Sequence, residues 1–306
     1  MNKILIALFL FMPCALMAQG SLLDDIDAPK EVLPAREKVY ETFLGNRIIN
    51  GHSVETPSKR AFSYIIAHRF GYLNSGFESM FGIDQASVRM GLEYGIIDNL
   101  CLGFARNKGN TWDAFVKYRV LQQSKGSVQN GKKIHGMPVS LTLFASMAID
   151  GRKKLYTDGR PDFFWQRLMY SYQVLIARKF GKHISLQLMP SVVHRNIVET
   201  KNDPNTLFAL GAGTRIRISN VVSLTGEYYY SFNQNSASGR RNSVGIGVDI
   251  TTGGHVFQLH ATNSQLMYEA GFIGNTRGDI LNGDICLGFN VTRSLAVNKK
   301  AKKKKV

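Results

Sequence analysis

The sequence predicts an all-β protein, a transmembrane antiparallel up-and-down β-barrel of about twelve strands of the bacterial outer-membrane type. Three observations lead there. Apolar and polar residues alternate along segment after segment, the links between segments alternate short and long, and charged residues recur on the polar parity. Period-two alternation sets one face of a strand in grease and the other in something polar. A soluble sandwich alternates too, but it would not keep turn length in step with strand parity over so many segments.

The two ends read differently from the middle. Residues 1–18 form a signal peptide, with Lys3 ahead of an apolar core from Ile4 to Leu16 and Ala15-Leu16-Met17-Ala18 before a cut at Gln19. That core is too short to span a bilayer. No later stretch is apolar enough for a membrane helix, so a membrane form must cross with strands. The expected location is the cell outer membrane. Residues 19–59 read as a polar periplasmic segment, with the acidic run Asp24-Asp25-Ile26-Asp27, a short helix over Arg36 to Phe43 and a turn at Asn50-Gly51. The barrel is expected over residues 60–293 and a basic tail over 294–306. The formal charge of +16 is concentrated in that tail, in Lys299, Lys300 and Lys302 to Lys305. An exported protein does not meet nucleic acid, so the tail is a solvated end or an attraction to anionic headgroups.

Each strand is named by its apolar face. The first carries Phe62, Tyr64 and Ile66, the second Val88 to Ile96, and the third Leu100, Leu102 and Phe104. Trp112 to Val120 make the fourth, Val139 to Ile149 the fifth, and Leu168 to Ile176 the sixth. The seventh, Ile184 to Val192, contains Pro190, which suggests a bulge. Phe208 to Ile218 form the eighth, Val222 to Phe232 the ninth and Val244 to Ile250 the tenth. Phe257, Leu259 and Ala261 give the eleventh, and Ile285 to Val291 the last. Tight turns follow strands two, six, eight and ten, while longer loops follow one, five, seven, nine and eleven. The exceptions are the short link after strand three and the long one after strand four.

The opposite parity defines the expected lumen. It holds Arg69, Arg89, Lys117, Arg119, Arg167, Arg195, Arg215 and Arg217 against Glu93, Asp113, Glu227, Asp249 and Asp284. An apolar core would not tolerate so many ions, whereas a watered or salt-bridged barrel interior does. An open lumen with this excess of base would favour anions. The structural alternative is that the charges pair across strands and plug it, since twelve strands lie between filled eight-stranded barrels and open porins. The loop expected to fold inward as a plug is Gly71 to Gln85, with Tyr72, Phe77, Met80 and Phe81 needing cover. Phe163, Phe164, Trp165, Tyr228 to Tyr230 and Phe232 read as an aromatic girdle on the long-loop rim. Cys101 and Cys286 fall three strands apart, about 15 Å at ~4.8 Å per strand, too far for a disulfide.

A rim lipase would need serine and histidine within hydrogen-bond reach. His68 and His194 fall on opposite sides of the ring, and His255 and His260 face opposite ways on one strand. No catalytic residue, metal ligand set or cofactor is expected.

Several stretches resemble an uncharacterised family of outer-membrane β-barrels, the domain of unknown function 5777 type. They are Phe43-Leu44-Gly45-Asn46-Arg47-Ile48-Ile49-Asn50-Gly51-His52-Ser53-Val54-Glu55, His68-Arg69-Phe70-Gly71, Phe81-Gly82-Ile83-Asp84, Arg89-Met90-Gly91-Leu92-Glu93-Tyr94-Gly95 and Leu102-Gly103-Phe104-Ala105-Arg106. The resemblance runs from about Phe43 to Val291 and implies a barrel and export, with no activity attached. One departure is that Phe289, where such barrels often end on an aromatic residue, is followed by seventeen more residues. The function expected is a narrow pore for small anionic solutes. The alternative is a non-conducting scaffold for periplasmic proteins, with a barrel lipase or deacylase third. The partners expected are outer-membrane lipid, a small-molecule solute and a periplasmic protein.

Overall fold

A computed structural model describes residues 36–129, 132–153 and 161–296. The signal peptide, the acidic run at 24–27 and the lysines from 299 onward lie outside the described residues. Twelve long strands follow one another as Ala61–Tyr72 (β1), Ser87–Ile97 (β2), Leu100–Asn107 (β3), Thr111–Leu121 (β4), Ser140–Asp150 (β5) and Leu168–Phe180 (β6). They continue as Ile184–Arg195 (β7), Thr206–Arg217 (β8), Val222–Ser231 (β9), Ser243–Thr252 (β10), His255–Thr262 (β11) and Cys286–Ala296 (β12). Each pairs antiparallel with its sequence neighbours, and β12 pairs with β1, so the sheet closes into a twelve-stranded barrel. Every expected segment is one of these strands. The last strand runs to Ala296, three residues beyond the expected barrel end at 293.

The alternation in sequence becomes alternation in burial. Along β4, Thr111, Asp113, Phe115, Lys117 and Arg119 are buried while Trp112, Val116, Tyr118 and Val120 are exposed. Leu92, Leu143 and Leu210 face outward in the same way. A ring of exposed apolar side chains around a polar interior suits lipid outside, because closure leaves no unpaired strand edge in the membrane. Among the described residues no helix is long and apolar enough to cross a membrane.

Turn lengths sort the two rims. The β10–β11 turn is closed by Gly253 (φ 51°) and Gly254 (φ 92°), a left-handed backbone that favours glycine. The β4–β5 link, residues 122–139, is the one long connection on the short-turn rim, and the three-residue Lys108–Asn110 link is the short one opposite.

Four expectations are corrected. Pro190 makes no bulge: β6 and β7 keep one register from Met169↔Arg195 to Phe180↔Ile184, with the ladder only interrupted beside the proline. The register shifts lie elsewhere, at Gly95/Ile97, Arg119/Leu121 and Cys286/Gly288. The expected helix over Arg36 to Phe43 does not form: Glu37–Lys38 pairs as a strand with Ser124–Lys125 of the β4–β5 link, and Glu41 is left-handed (φ 55°). Gly71 to Gln85 is not a plug. It folds on itself above the rim with Phe77 76% exposed, because Gly82 packs directly on the Gly71 backbone. Tyr229 does not join the girdle, since strand parity turns it inward to full burial while Tyr228 and Tyr230 stay exposed.

Candidate functional site within the barrel lumen

The lumen is filled by chain from both ends. From the short-turn rim rises a hairpin of residues 46–53, expected as part of a periplasmic segment and instead buried inside the barrel. Its arms are joined by an Arg47↔His52 bridge, a Ser53 N–H to Asn46 carbonyl bond of 3.0 Å and an Ile48 N–H to Gly51 carbonyl bond of 2.9 Å. The sequence builds this turn at Asn50-Gly51. A Cβ at Gly51 would lie 2.1 Å from the Tyr229 hydroxyl oxygen, so only glycine fits. From the long-loop rim the β11–β12 loop folds inward and carries a six-residue helix, Glu269–Gly274 (α1), every residue of which is buried.

The hairpin tip is held by a charge on the wall. The Glu227 carboxylate on β9 accepts the backbone N–H groups of Ile49 (3.1 Å), Asn50 (2.8 Å) and Gly51 (3.1 Å). Hydrogen bonds to a charged acceptor are roughly twice as strong as neutral ones. Around the ring other interior residues hold the hairpin's own polar groups. Arg69 Nη2 donates to the Asn50 side chain at 2.9 Å, and Asn290 Nδ2 to the Ile49 carbonyl at 3.0 Å. Gln258 reaches the Ile48 carbonyl (2.9 Å) and Gln187 the His52 carbonyl (2.8 Å). Asn46 donates to Glu93 at 2.6 Å, and Lys117 Nζ donates to the Ser53 carbonyl at 3.1 Å. A buried backbone without strand partners has to be satisfied in this way.

Apolar contacts fill the gaps. Gly211 and Gly213 leave room on the wall for Tyr229 and Ile48, since a Cβ there would lie 2.5 and 2.4 Å from them. His52 sits between Phe115 and Phe144, ring centroids 4.4 and 4.5 Å away. Phe272 of α1 meets Tyr229 edge-on at 5.1 Å. The two plug pieces touch: Glu269 Oε1 lies 3.5 Å from both Arg47 Nη1 and His52 Nε2. Arg47 Nη2 donates to His52 Nε2 at 3.0 Å, which makes that ring nitrogen an acceptor.

The remaining sequence-marked charges distribute as follows. Arg89 and Asp113 pair at 2.7 Å, both buried, and Arg119 lies 3.6 Å from Glu55 and bonds Thr56. Asp249 accepts from Gln258 (3.1 Å) and Thr225 (3.4 Å). Arg215 donates to Ser223 (3.0 Å) and to the Glu41 carbonyl (2.8 Å). Arg195 holds the end of α1 through the Gly274 carbonyl at 2.9 Å. Arg167 and Arg217 lie at opposite rims, Arg167 bonded to Asp162 and Arg217 to Asn220 at 2.8 Å. Asp284 is in the β11–β12 loop and caps the Asp279 N–H at 2.8 Å. His68 stacks on Phe289 and His194 bonds Thr206, so the structure does not bring them together. Cys101 and Cys286 are free and buried. Among the described residues no cluster of His, Cys, Asp or Glu is arranged for a metal ion.

The hairpin and the barrel around it form one recognisable unit, for the family described as a membrane bound beta barrel domain matches residues 43–295, from the plug to the end of β12. The chain belongs to this family, DUF5777. Several solved barrels are similar to the DUF5777 chain. One is the NanC porin, at 7% identity and TM-score 0.44, covering 78% of this chain and 100% of that one. Another is an outer membrane channel from Pseudomonas putida F1, at 12% identity and TM-score 0.43, covering 79% and 98%. A third is outer membrane phospholipase A from Escherichia coli, at 10% identity and TM-score 0.41, covering 78% and 94%. No curated protein matches the chain.

Proposed function

We propose that this DUF5777 chain is an outer-membrane barrel closed at rest, anchored in lipid and serving as a non-enzymatic scaffold for periplasmic proteins. The observation that carries the reading is the hairpin bound to Glu227, with further hydrogen bonds to β1, β2, β4, β7, β11 and β12 and one from β5 to Val54 just beyond it. A water path through the lumen would have to break several of these at once. The same segment leaves the lumen at the short-turn rim, where Glu37–Lys38 and the β4–β5 link offer an edge to a periplasmic partner.

A second reading, a narrow pore for small anionic solutes, is supported by the route of the plug. Both arms of the hairpin leave through one rim, residues 36–41 beside the β4–β5 link and Thr56 beside Asp98, so it can withdraw without threading. Planar-bilayer recording separates the two. The scaffold reading expects no current steps from the whole chain and steps from a chain lacking residues 42–55. Steady conductance of the whole chain would remove it. In that event anion preference, reversed by Arg215→Glu with Arg217→Glu, is the mark of the pore.

A further inference from the structure

We propose that the long-loop mouth of the barrel contains a binding site for a small soluble anion with a carboxylate or phosphate head, seated between Arg195 and Arg240 above α1. A cavity of about 230 Å³ opens there, over the end of the inward-folded loop. Arg195 closes β7 and Arg240 stands in the β9–β10 loop, and each is only 2% exposed. The two guanidinium groups converge on one neutral oxygen: Arg195 Nη1 donates to Asn275 Oδ1 at 2.5 Å and Arg240 Nε to the same atom at 3.3 Å.

The hydrogen-bond partners of Arg195 are all neutral oxygens, the Gly274 and Pro204 carbonyls and the Asn275 side chain. A buried guanidinium held by neutral acceptors alone is poorly compensated. Its Nε lacks a hydrogen bond, as does Arg240 Nη2, which lies 3.7 Å from Glu199, although Arg240 Nη1 is paired with the buried Asp203. Both side chains line the cavity, Arg195 is the one with no carboxylate partner among the described residues, and a planar two-oxygen anion matches the forked geometry of a guanidinium.

The lining favours an anion over a cation. Arg152 is paired with Asp150, Arg167 with Asp162 and Glu199 with Arg277, which leaves Arg195, among the described residues, as the lining charge without a counter-ion. Met169 and Val198 supply apolar wall beside the charged end, so the ligand carries an apolar part behind its head. Because Arg195 also holds the Gly274 carbonyl, an anion there draws on the side chain that fixes the end of the plug helix.

Calorimetric titration of the full chain in neutral detergent tests the site, with inorganic phosphate as the first probe and acetate as the second. Saturable binding of either is expected, weakened at least ten-fold by Arg195→Gln. Glu199→Gln removes a negative charge from the wall and should tighten binding several-fold, a gain that misfolding cannot produce. Absence of saturable heat with both probes would overturn the proposal. So would undiminished binding in Arg195→Gln or unaltered affinity in Glu199→Gln, each of which would place the anions elsewhere on this basic chain.

Discussion

Asn50 and Glu227 meet at 2.8 Å, and through that contact a turn near the start of the chain is fixed to the ninth strand of the barrel. The carboxylate is buried, and three consecutive backbone N–H groups are its hydrogen-bond donors. Replacing it by the isosteric amide keeps one acceptor oxygen and turns an NH2 group toward backbone donors. Glu227→Gln should therefore cost about 1–3 kcal/mol. A lower thermal midpoint in detergent checks it, and an unchanged midpoint would show that the tip is held by other contacts.

Gly51 and Tyr229 form a second test. A methyl at Gly51 meets the tyrosine oxygen at 2.1 Å, so Gly51→Ala should destabilise the folded chain by about 1–3 kcal/mol, the range for overpacking. The same substitution in a Tyr229→Ala background should cost less, because the obstructing ring is gone. Four unfolding midpoints complete the double-mutant cycle. Additive costs would mean the clash is relieved elsewhere.

Leu143 is the fourth residue of β5, with its side chain outward and 46% exposed. If that face meets the bilayer core, Leu143→Arg should cost ~2–4 kcal/mol in lipid and little in a loop control. Equilibrium unfolding from vesicles measures it, and a neutral result would contradict the register of lipid-facing residues.

Asp203, in the β7–β8 loop, gives a pH prediction. Its hydrogen bond with Arg240 holds the carboxyl well below the usual carboxylate range, although burial opposes this. A depressed folded-state value stabilises the loop above the unfolded value of about 3.9. That contribution is lost only as pH falls further, through the folded value. The side-chain carboxyl carbon shift of Asp203 should stay constant from neutral pH to about pH 5 and move only below the ordinary aspartate range. Movement of that signal within the ordinary aspartate range would contradict the pairing with Arg240.

The barrel was readable because burial on one face writes a period of two, and turns such as Asp98-Asn99 or Gly253-Gly254 mark its reversals. The plug was harder to read. Residues 46–53 show no periodicity, since a lone hairpin inside a ring is buried on every side and bonds through its backbone, which all residues share. A signal did exist on the wall. Phe115, Phe144, Leu175, Met189, Val193 and Leu207 occupy the inward parity and are buried. A watered lumen would not place so many apolar groups there. Gly211, Gly213 and Gly245 on that parity mark where another segment comes close. The lumen charges drew attention as a selectivity filter, while the structure has most of them bonded to the hairpin, to α1 or to each other.

The joint between β12 and β1 differs from the other eleven, for it joins the last strand of the chain to the first. Arg69 and Asn290, bonded across it, are 221 residues apart. Closing a span of that length costs about 2 kcal/mol more in chain entropy than closing one a tenth as long. The hairpin sits astride this joint, with Arg69 reaching Asn50 from one side and Asn290 reaching Ile49 from the other. At roughly 1 kcal/mol per hydrogen bond, those contacts offset much of the difference. What occupies the channel therefore also acts as a clasp, bonded to both strands of the pairing that spans the longest stretch of chain.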